Sequence, residues 1–269
     1  MKTFPDVDRR TLKRWMGRVW RKMDICKPES RRVALVYHSV GGSSGAVPIE
    51  VFRKQVEWLA TNAERIRLHE LFEGGNTAPL QVCITFDDGY ASVIENAFPI
   101  LQRCGFEGVV YVNPAWIGDA SRRVSYSSRG FYAHEEFMTW ADLKLLQSEG
   151  WVVGSHGVDH LDLTRLSIED TYRELRNSRA AIEDRLDVPC KDFAYTWGRY
   201  NSVVRQAVSE SGYVTGAAGY HGSIKIRTNR LSFPRIDIRR GYSLEDFIAV
   251  TQGDWDYLAL KQRRWFSER

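Results

Sequence analysis

The sequence predicts an α/β domain built as a parallel barrel. One observation is the alternation, over most of the chain, of short apolar runs with stretches of helical spacing. A second is the lack of any internal repeat, or of a linker rich enough to divide the 269 residues. A third is that the polar clusters worth chemical attention fall directly after strand-like runs, where parallel barrels carry their sites.

Residues 11–23, TLKRWMGRVWRKM, place Leu12, Trp15, Met16, Val19, Trp20 and Met23 at helical spacing, with Lys and Arg on the other faces. This basic amphipathic stretch suits either packing on its own domain or peripheral contact with a membrane surface. Val33–His38 is a short buried strand. Helical spacing follows from Pro48 to Ala60. Leu80–Phe86 is a strand ended by Asp87-Asp88-Gly89, and Tyr90–Cys104 is a helix stopped by Gly105. Val109–Val112 is a strand. Residues 113–137 lack periodicity, and so long a loop in a compact domain is usually functional or mobile. Thr139–Glu149 is a helix, Trp151–Val153 a strand and Ser167–Leu186 a strongly periodic helix. Phe193–Tyr195, Tyr213–Thr215 and Ser232–Ile238 are strands. Ser202–Glu210 and Ser243–Val250 are helices. The expected organisation is a basic extension over 1–32, one barrel domain over 33–250, and a C-terminal helical tail over 251–269.

The net charge of +4 is unevenly placed. Residues 1–32 carry eleven Lys/Arg and four Asp/Glu, while the remaining residues carry 27 basic and 30 acidic side chains. A slightly acidic body argues against nucleic acid as a partner. The four cysteines form no CxxC pair, so a zinc knuckle or redox motif is not expected. No apolar run approaches membrane-span length, and no secretory signal is evident. The expected location is the cytoplasm, including the inner face of the membrane.

Three constellations carry chemistry. Thr85-Phe86-Asp87-Asp88-Gly89-Tyr90 puts two carboxylates side by side after a strand. Taken alone, Asp-Gly reads better as a surface turn. A divalent cation would make the pair tolerable, one carboxylate ligating it and the other acting as a base. Gly154-Ser155-His156-Gly157-Val158-Asp159-His160 follows another strand and spaces two imidazoles for one ion. With Asp88 they would form a two-His, one-carboxylate site that leaves coordination positions open. Phe193–Asn201 (FAYTWGRYN) is an aromatic loop after a third strand, which suits either a sugar wall or a core plug.

TFDDGY, GSHGVDHLDL and FAYTWGRYN, in this order, resemble the motifs of the NodB-homology polysaccharide deacetylases, carbohydrate esterase family four. LSFPRIDI and the TWADLKLL helix resemble the connecting text, and the likeness extends over about residues 33–250. The resemblance implies a single-domain, distorted parallel (β/α) barrel of the glycoside hydrolase/deacetylase type. It also implies one divalent metal, zinc first, with cobalt or nickel as alternatives. By position it implies Asp88, His156 and His160 as ligands and Asp87 as catalytic base. Arg235 would hold Asp87 ionised. The family's acid is a His after a late strand, which this chain lacks. In a branch with permuted motif order it stands first, which implies His38. Tyr195, Trp197 and Gly198 would line the substrate, with a backbone N–H near Trp197 or Gly198 for the oxyanion.

Two departures stand out. Gly157 replaces a bracing Ser or Thr, which leads one to expect weaker metal binding. Thr196-Trp197 replaces Pro-Tyr, which leads one to expect a looser loop. The implied activity is removal of N-acetyl groups from an amino-sugar glycan or precursor. The alternatives are deacylation or deformylation of a lipid- or nucleotide-linked sugar at the membrane, and a non-catalytic glycan-binding module.

Overall fold

The computed structural model describes residues 30–74, 78–124, 132 and 134–259, together with Gly17 and Gln262. Eight parallel strands form one sheet: β1 (Arg31–Tyr37), β2 (Glu64–Arg65), β3 (Leu80–Phe86), β4 (Gly108–Val112), β5 (Val152–Ser155), β6 (Asp192–Ala194), β7 (Thr215–Ala217) and β8 (Ile236–Asp237). Their spatial order is β7-β6-β5-β4-β3-β1-β8, and β2 pairs with the lower half of β3 below β4. The sheet curls into a half-barrel. One run of chain touches both of its edges: Phe233 bridges Ala217 of β7, and Ile236 then pairs with Leu35 of β1.

Strand alternation sorts the core into two faces. Val33, Leu35 and Tyr37 of β1 join Val82, Ile84 and Phe86 of β3 in the larger cluster, which the helices cover. Ala34, Cys83, Val109, Ala194 and Ala217 face the other way and pack with Tyr111 and Phe233. The small side chains on that face suit the inside of a tight curl.

Among the described residues the bounded α-helices are α1 (Ile49–Asn62), α2 (Phe98–Arg103), α3 (Trp140–Ser148), α4 (Ile168–Leu186), α5 (Ser202–Glu210) and α6 (Leu244–Gln252). Each presents one apolar stripe. Phe52, Gln55, Val56 and Leu59 are the buried positions of α1, and Tyr37 donates its hydroxyl to Gln55 at 2.9 Å. Capping boxes open α3 (Thr139 with Asp142) and α6 (Ser243 with Asp246), and Ser167 caps α4. The helix expected over Tyr90–Cys104 contains a π turn at Val93–Ala97 before α2. Pro99 lacks an N–H for the carbonyl of Glu95, so the ladder must slip there.

The two-residue β2 was not expected, and two expected strands differ in extent. The strand expected over Tyr213–Thr215 lies at Thr215–Ala217, and that expected over Ser232–Ile238 is only two residues of ladder. Pro234 cannot donate to a neighbour, which confines the pairing to Ile236 and Asp237.

The amphipathic stretch 11–23 lies outside the described residues except for Gly17. That residue is buried and helical, and a Cβ there would sit 2.6 Å from the carbonyl oxygen of Asp254. The expected C-terminal tail is described to Ala259 and again at Gln262, whose Oε1 accepts from the His221 N–H. Among the described residues no helix is long and apolar enough to cross a membrane.

Candidate active site

The carboxyl ends of the parallel strands converge on one polar centre. His38 follows β1, Asp87 and Asp88 follow β3, Asn113 follows β4, His156 follows β5, and the Thr196–Gly198 turn follows β6. The chain reverses sharply after β3. Asp88 (φ 73°) and Gly89 (φ 78°) are both left-handed, which Asp and Gly tolerate best.

Asp87 is buried, and Arg235 grips it with two bonds of 2.6 and 2.7 Å. Arg235 is itself buried, and its Nη1 also reaches Thr85 Oγ1 at 3.3 Å. Burial alone would raise the Asp87 pKa. The guanidinium outweighs it, so the carboxyl lies well below the usual carboxylate range. Asp87 is therefore ionised at neutral pH with its partner fixed in place.

Asp88, His156 and His160 form a triangle whose ligand atoms lie within 4.8 Å of one another. Nε2 of each histidine stands 3.5 Å from Asp88 Oδ1. His156 Nδ1 is 2.8 Å from the carbonyl oxygen of Ala194. A carbonyl only accepts, so Nδ1 carries the proton and Nε2 offers a lone pair. Burial holds both imidazoles down at about 4, so they are neutral at pH 7. Asp88 Oδ1 is buried without a hydrogen-bond partner. The His160 ring is bonded to its own backbone carbonyl, which places its proton on the nitrogen away from Asp88, so three acceptors face one another with no donor between them. Such an arrangement is costly unless a cation occupies its centre, and two imidazoles with one carboxylate are a donor set that fits a divalent metal.

His38 is half-buried and stands close enough to Asp87, Asp88 and His160 to be an electrostatic neighbour of each, so the structure brings it to this centre. Its neighbour Ser39 shares a buried cluster with Ser92 and Glu135, tying the end of β1 to the loop after Asp88 and to the 113–137 segment.

The third motif divides. Trp197 is left-handed (φ 58°) and 43 % exposed, with its ring 4.8 Å from that of His160. A bulky residue held there is strained, and such strain collects at functional sites. Tyr195, expected on the substrate wall, is instead a core residue. It is 0 % exposed and its hydroxyl donates to the Leu231 carbonyl at 2.6 Å, which leaves no surface for a sugar. Gly198 is half-buried, and its N–H is committed to the Tyr195 carbonyl at 2.8 Å.

Both departures find local compensation. Gly157 is left-handed (φ 77°), and its carbonyl accepts from Ser178 Oγ at 3.0 Å and Asn113 Nδ2 at 3.3 Å. The loop that carries His156 and His160 is thus braced from outside, without a hydroxyl at 157. Thr196 is buried, and its hydroxyl donates to the Leu161 carbonyl, so the loop lacking Pro is pinned to the chain just after His160. The motifs did not single out Asn113, Trp116 or Glu135. Asn113 carries the one usable signal, a polar residue directly after a strand.

A sequence model of polysaccharide deacetylases matches residues 74–216, more than half of the chain. The chain belongs to the polysaccharide deacetylase family. The matched stretch holds Asp87, Asp88, His156, His160 and Trp197, and leaves out His38 and Arg235. The polysaccharide deacetylase-like protein YxkH of Bacillus subtilis (strain 168) is 25 % identical over 224 residues, covering 81 % of this chain and 75 % of its own. The poly-β-1,6-N-acetyl-D-glucosamine N-deacetylase of Escherichia coli (strain K12) is 28 % identical over 262 residues. That match covers 82 % of this chain but only 38 % of the relative. Among solved structures, the Streptococcus pyogenes deacetylase PplD superposes with a TM-score of 0.69 at 21 % identity, covering 82 % of this chain and 98 % of that one. At that identity the likeness carries the fold alone. As a polysaccharide deacetylase, the chain is an enzyme of amide C–N bonds on a parallel half-barrel.

Proposed function

We propose that this deacetylase hydrolyses N-acetyl groups on an amino-sugar glycan, using one divalent cation held by Asp88, His156 and His160. The observation that carries the reading is the donor-free triangle of acceptors beside an ionised, Arg-clamped Asp87. A divalent ion bound there, zinc by the softness of its two imidazoles, supplies Lewis acidity toward the amide carbonyl and a lowered pKa for water.

The chain's own residues do the rest. Asp87 accepts a proton from the water that attacks the acetyl carbon. Arg235 keeps that carboxylate charged and aimed. A backbone N–H of the Thr196–Gly198 turn is the oxyanion donor that the family resemblance implies. His38 gives a proton to the nitrogen as the C–N bond breaks, releasing acetate and a free amino sugar. The exposed ring of Trp197 offers a stacking face for the sugar.

The E. coli relative makes poly-β-1,6-N-acetyl-D-glucosamine the first glycan to try. The test is mass spectrometry of acetylated glucosamine oligomers incubated with zinc-loaded protein. The expected result is a loss of one acetyl mass per turnover, abolished by chelation and restored by zinc. Full acetate release from chelator-treated protein would overturn the reading.

A further inference from the structure

We infer that Trp116, together with Asp159, is a positioning unit that holds His160 in its ligand geometry. The inference rests on reading Asp88, His156 and His160 as the metal ligands.

His160 is a non-glycine residue in left-handed backbone (φ 56°), and Gly157 in the same loop is left-handed as well. An L-residue pays for that conformation, so something must hold it. The 113–118 stretch after β4 does so through three contacts made by two successive residues, Ala115 and Trp116. The Ala115 N–H donates to the Val158 carbonyl at 3.2 Å. The Trp116 indole N–H donates to Asp159 Oδ1 at 2.7 Å. The Trp116 ring lies 5.4 Å from the His160 ring, inclined by 30°.

The chemistry of Trp116 explains why the contact is specific. Its side chain is 2 % exposed and packs with Tyr90 and Phe137. A buried indole needs a partner for its N–H, and Asp159 supplies one from the residue just before the ligand. The Asp159 residue is itself exposed, so its carboxylate serves the indole without filling core space. Trp197 meets the His160 ring at 4.8 Å and 69°, so two indoles contact the imidazole. An imidazole held this way presents Nε2 to Asp88 with little rotational freedom.

Partners that orient a ligating histidine commonly change metal affinity by about 10–100-fold. The test is zinc affinity of full-length protein at pH 7, read by competition with a chromophoric chelator. Trp116→Phe keeps a ring and removes the N–H, while Asp159→Ala removes the acceptor and leaves the core intact. Each is expected to weaken zinc binding by about tenfold or more. The double variant should be little weaker than either single one, since the two side chains act as one unit. Chelator-treated Asp159→Ala should melt only a few degrees below the parent, the cost of one unsatisfied indole N–H, and it should stay folded at the temperature of the zinc titration, which separates positioning from unfolding. Zinc affinity within about twofold of the parent in Asp159→Ala would overturn the inference, even if Trp116→Phe folds poorly. Parental zinc affinity in Asp88→Ala would instead overturn the ligand assignment itself.

Discussion

Arg235 offers the sharpest energetic test. It makes two bonds of 2.6 and 2.7 Å to Asp87, and both residues are almost completely buried. Replacing it with Met keeps much of the volume and deletes the cation. Asp87 then remains as a buried carboxylate whose burial raises its pKa with no guanidinium to oppose it. Removing one partner of a buried pair costs about 3–5 kcal/mol. At roughly 2–4 °C per kcal/mol for a chain of this size, the melting midpoint should fall by roughly 6–20 °C. The measurement is urea unfolding of chelator-treated protein at pH 7, run as a cycle with Asp87→Asn and the double variant. If the cost arises from the stranded charge, Asp87→Asn should recover most of it, with a coupling of about 2 kcal/mol or more. A loss under about 1 kcal/mol, or effects that simply add, would refute the reasoning.

Other consequences follow from single residues. Asp256 is held at about 2, against an ordinary 3.8, because its bonds to His221 and Arg31 outweigh its burial. A depressed carboxyl stabilises the fold above its unfolded pKa and loses that contribution as pH falls through the folded value. The urea stability gap between parent and Asp256→Asn should therefore be about 2–3 kcal/mol at pH 7 and close toward pH 2. An unchanged gap at pH 2 would contradict the pairing. Gly157→Ala must adopt φ 77° with its Cβ 3.4 Å from Glu174, and should lose about 1–2 kcal/mol. Full parental stability would rule out the left-handed loop. Trp197→Gly relieves a left-handed Trp, a gain of about 1 kcal/mol that is set against the loss of its ring's contact with His160. Its KM for the glycan should rise, and an unchanged KM would remove the ring from substrate binding.

Legibility in the sequence tracked the physics of each segment. β3 runs from Leu80 to Phe86 as expected, because a fully buried apolar run ends at a dipeptide that cannot continue it. α5 agrees end to end, with Asn201 as its cap. β7 was displaced because Gly216 and Ala217 carry it. A side chain at 216 would lie 2.6 Å from the Leu231 carbonyl, so crowding selects residues with little strand propensity. In the site, Asp87, Asp88, His156 and His160 were legible because short polar motifs after strands concentrate the signal. Tyr195 misled, since an aromatic in a loop motif looks the same whether it meets a sugar or plugs the core. Only its 0 % exposure decides. Trp116 was hidden in a segment without periodicity, and its contact with Asp159 spans 43 residues of chain.

The central claim is that Asp87 and Asp88, though adjacent, do different work. Zinc stoichiometry and acetate release measured together on Asp87→Asn and Asp88→Ala test it most directly. Asp88→Ala should lose zinc and activity together. Asp87→Asn should bind one zinc like the parent and release almost no acetate. Zinc lost from Asp87→Asn, or acetate released by zinc-free Asp88→Ala at the parental rate, would contradict the account.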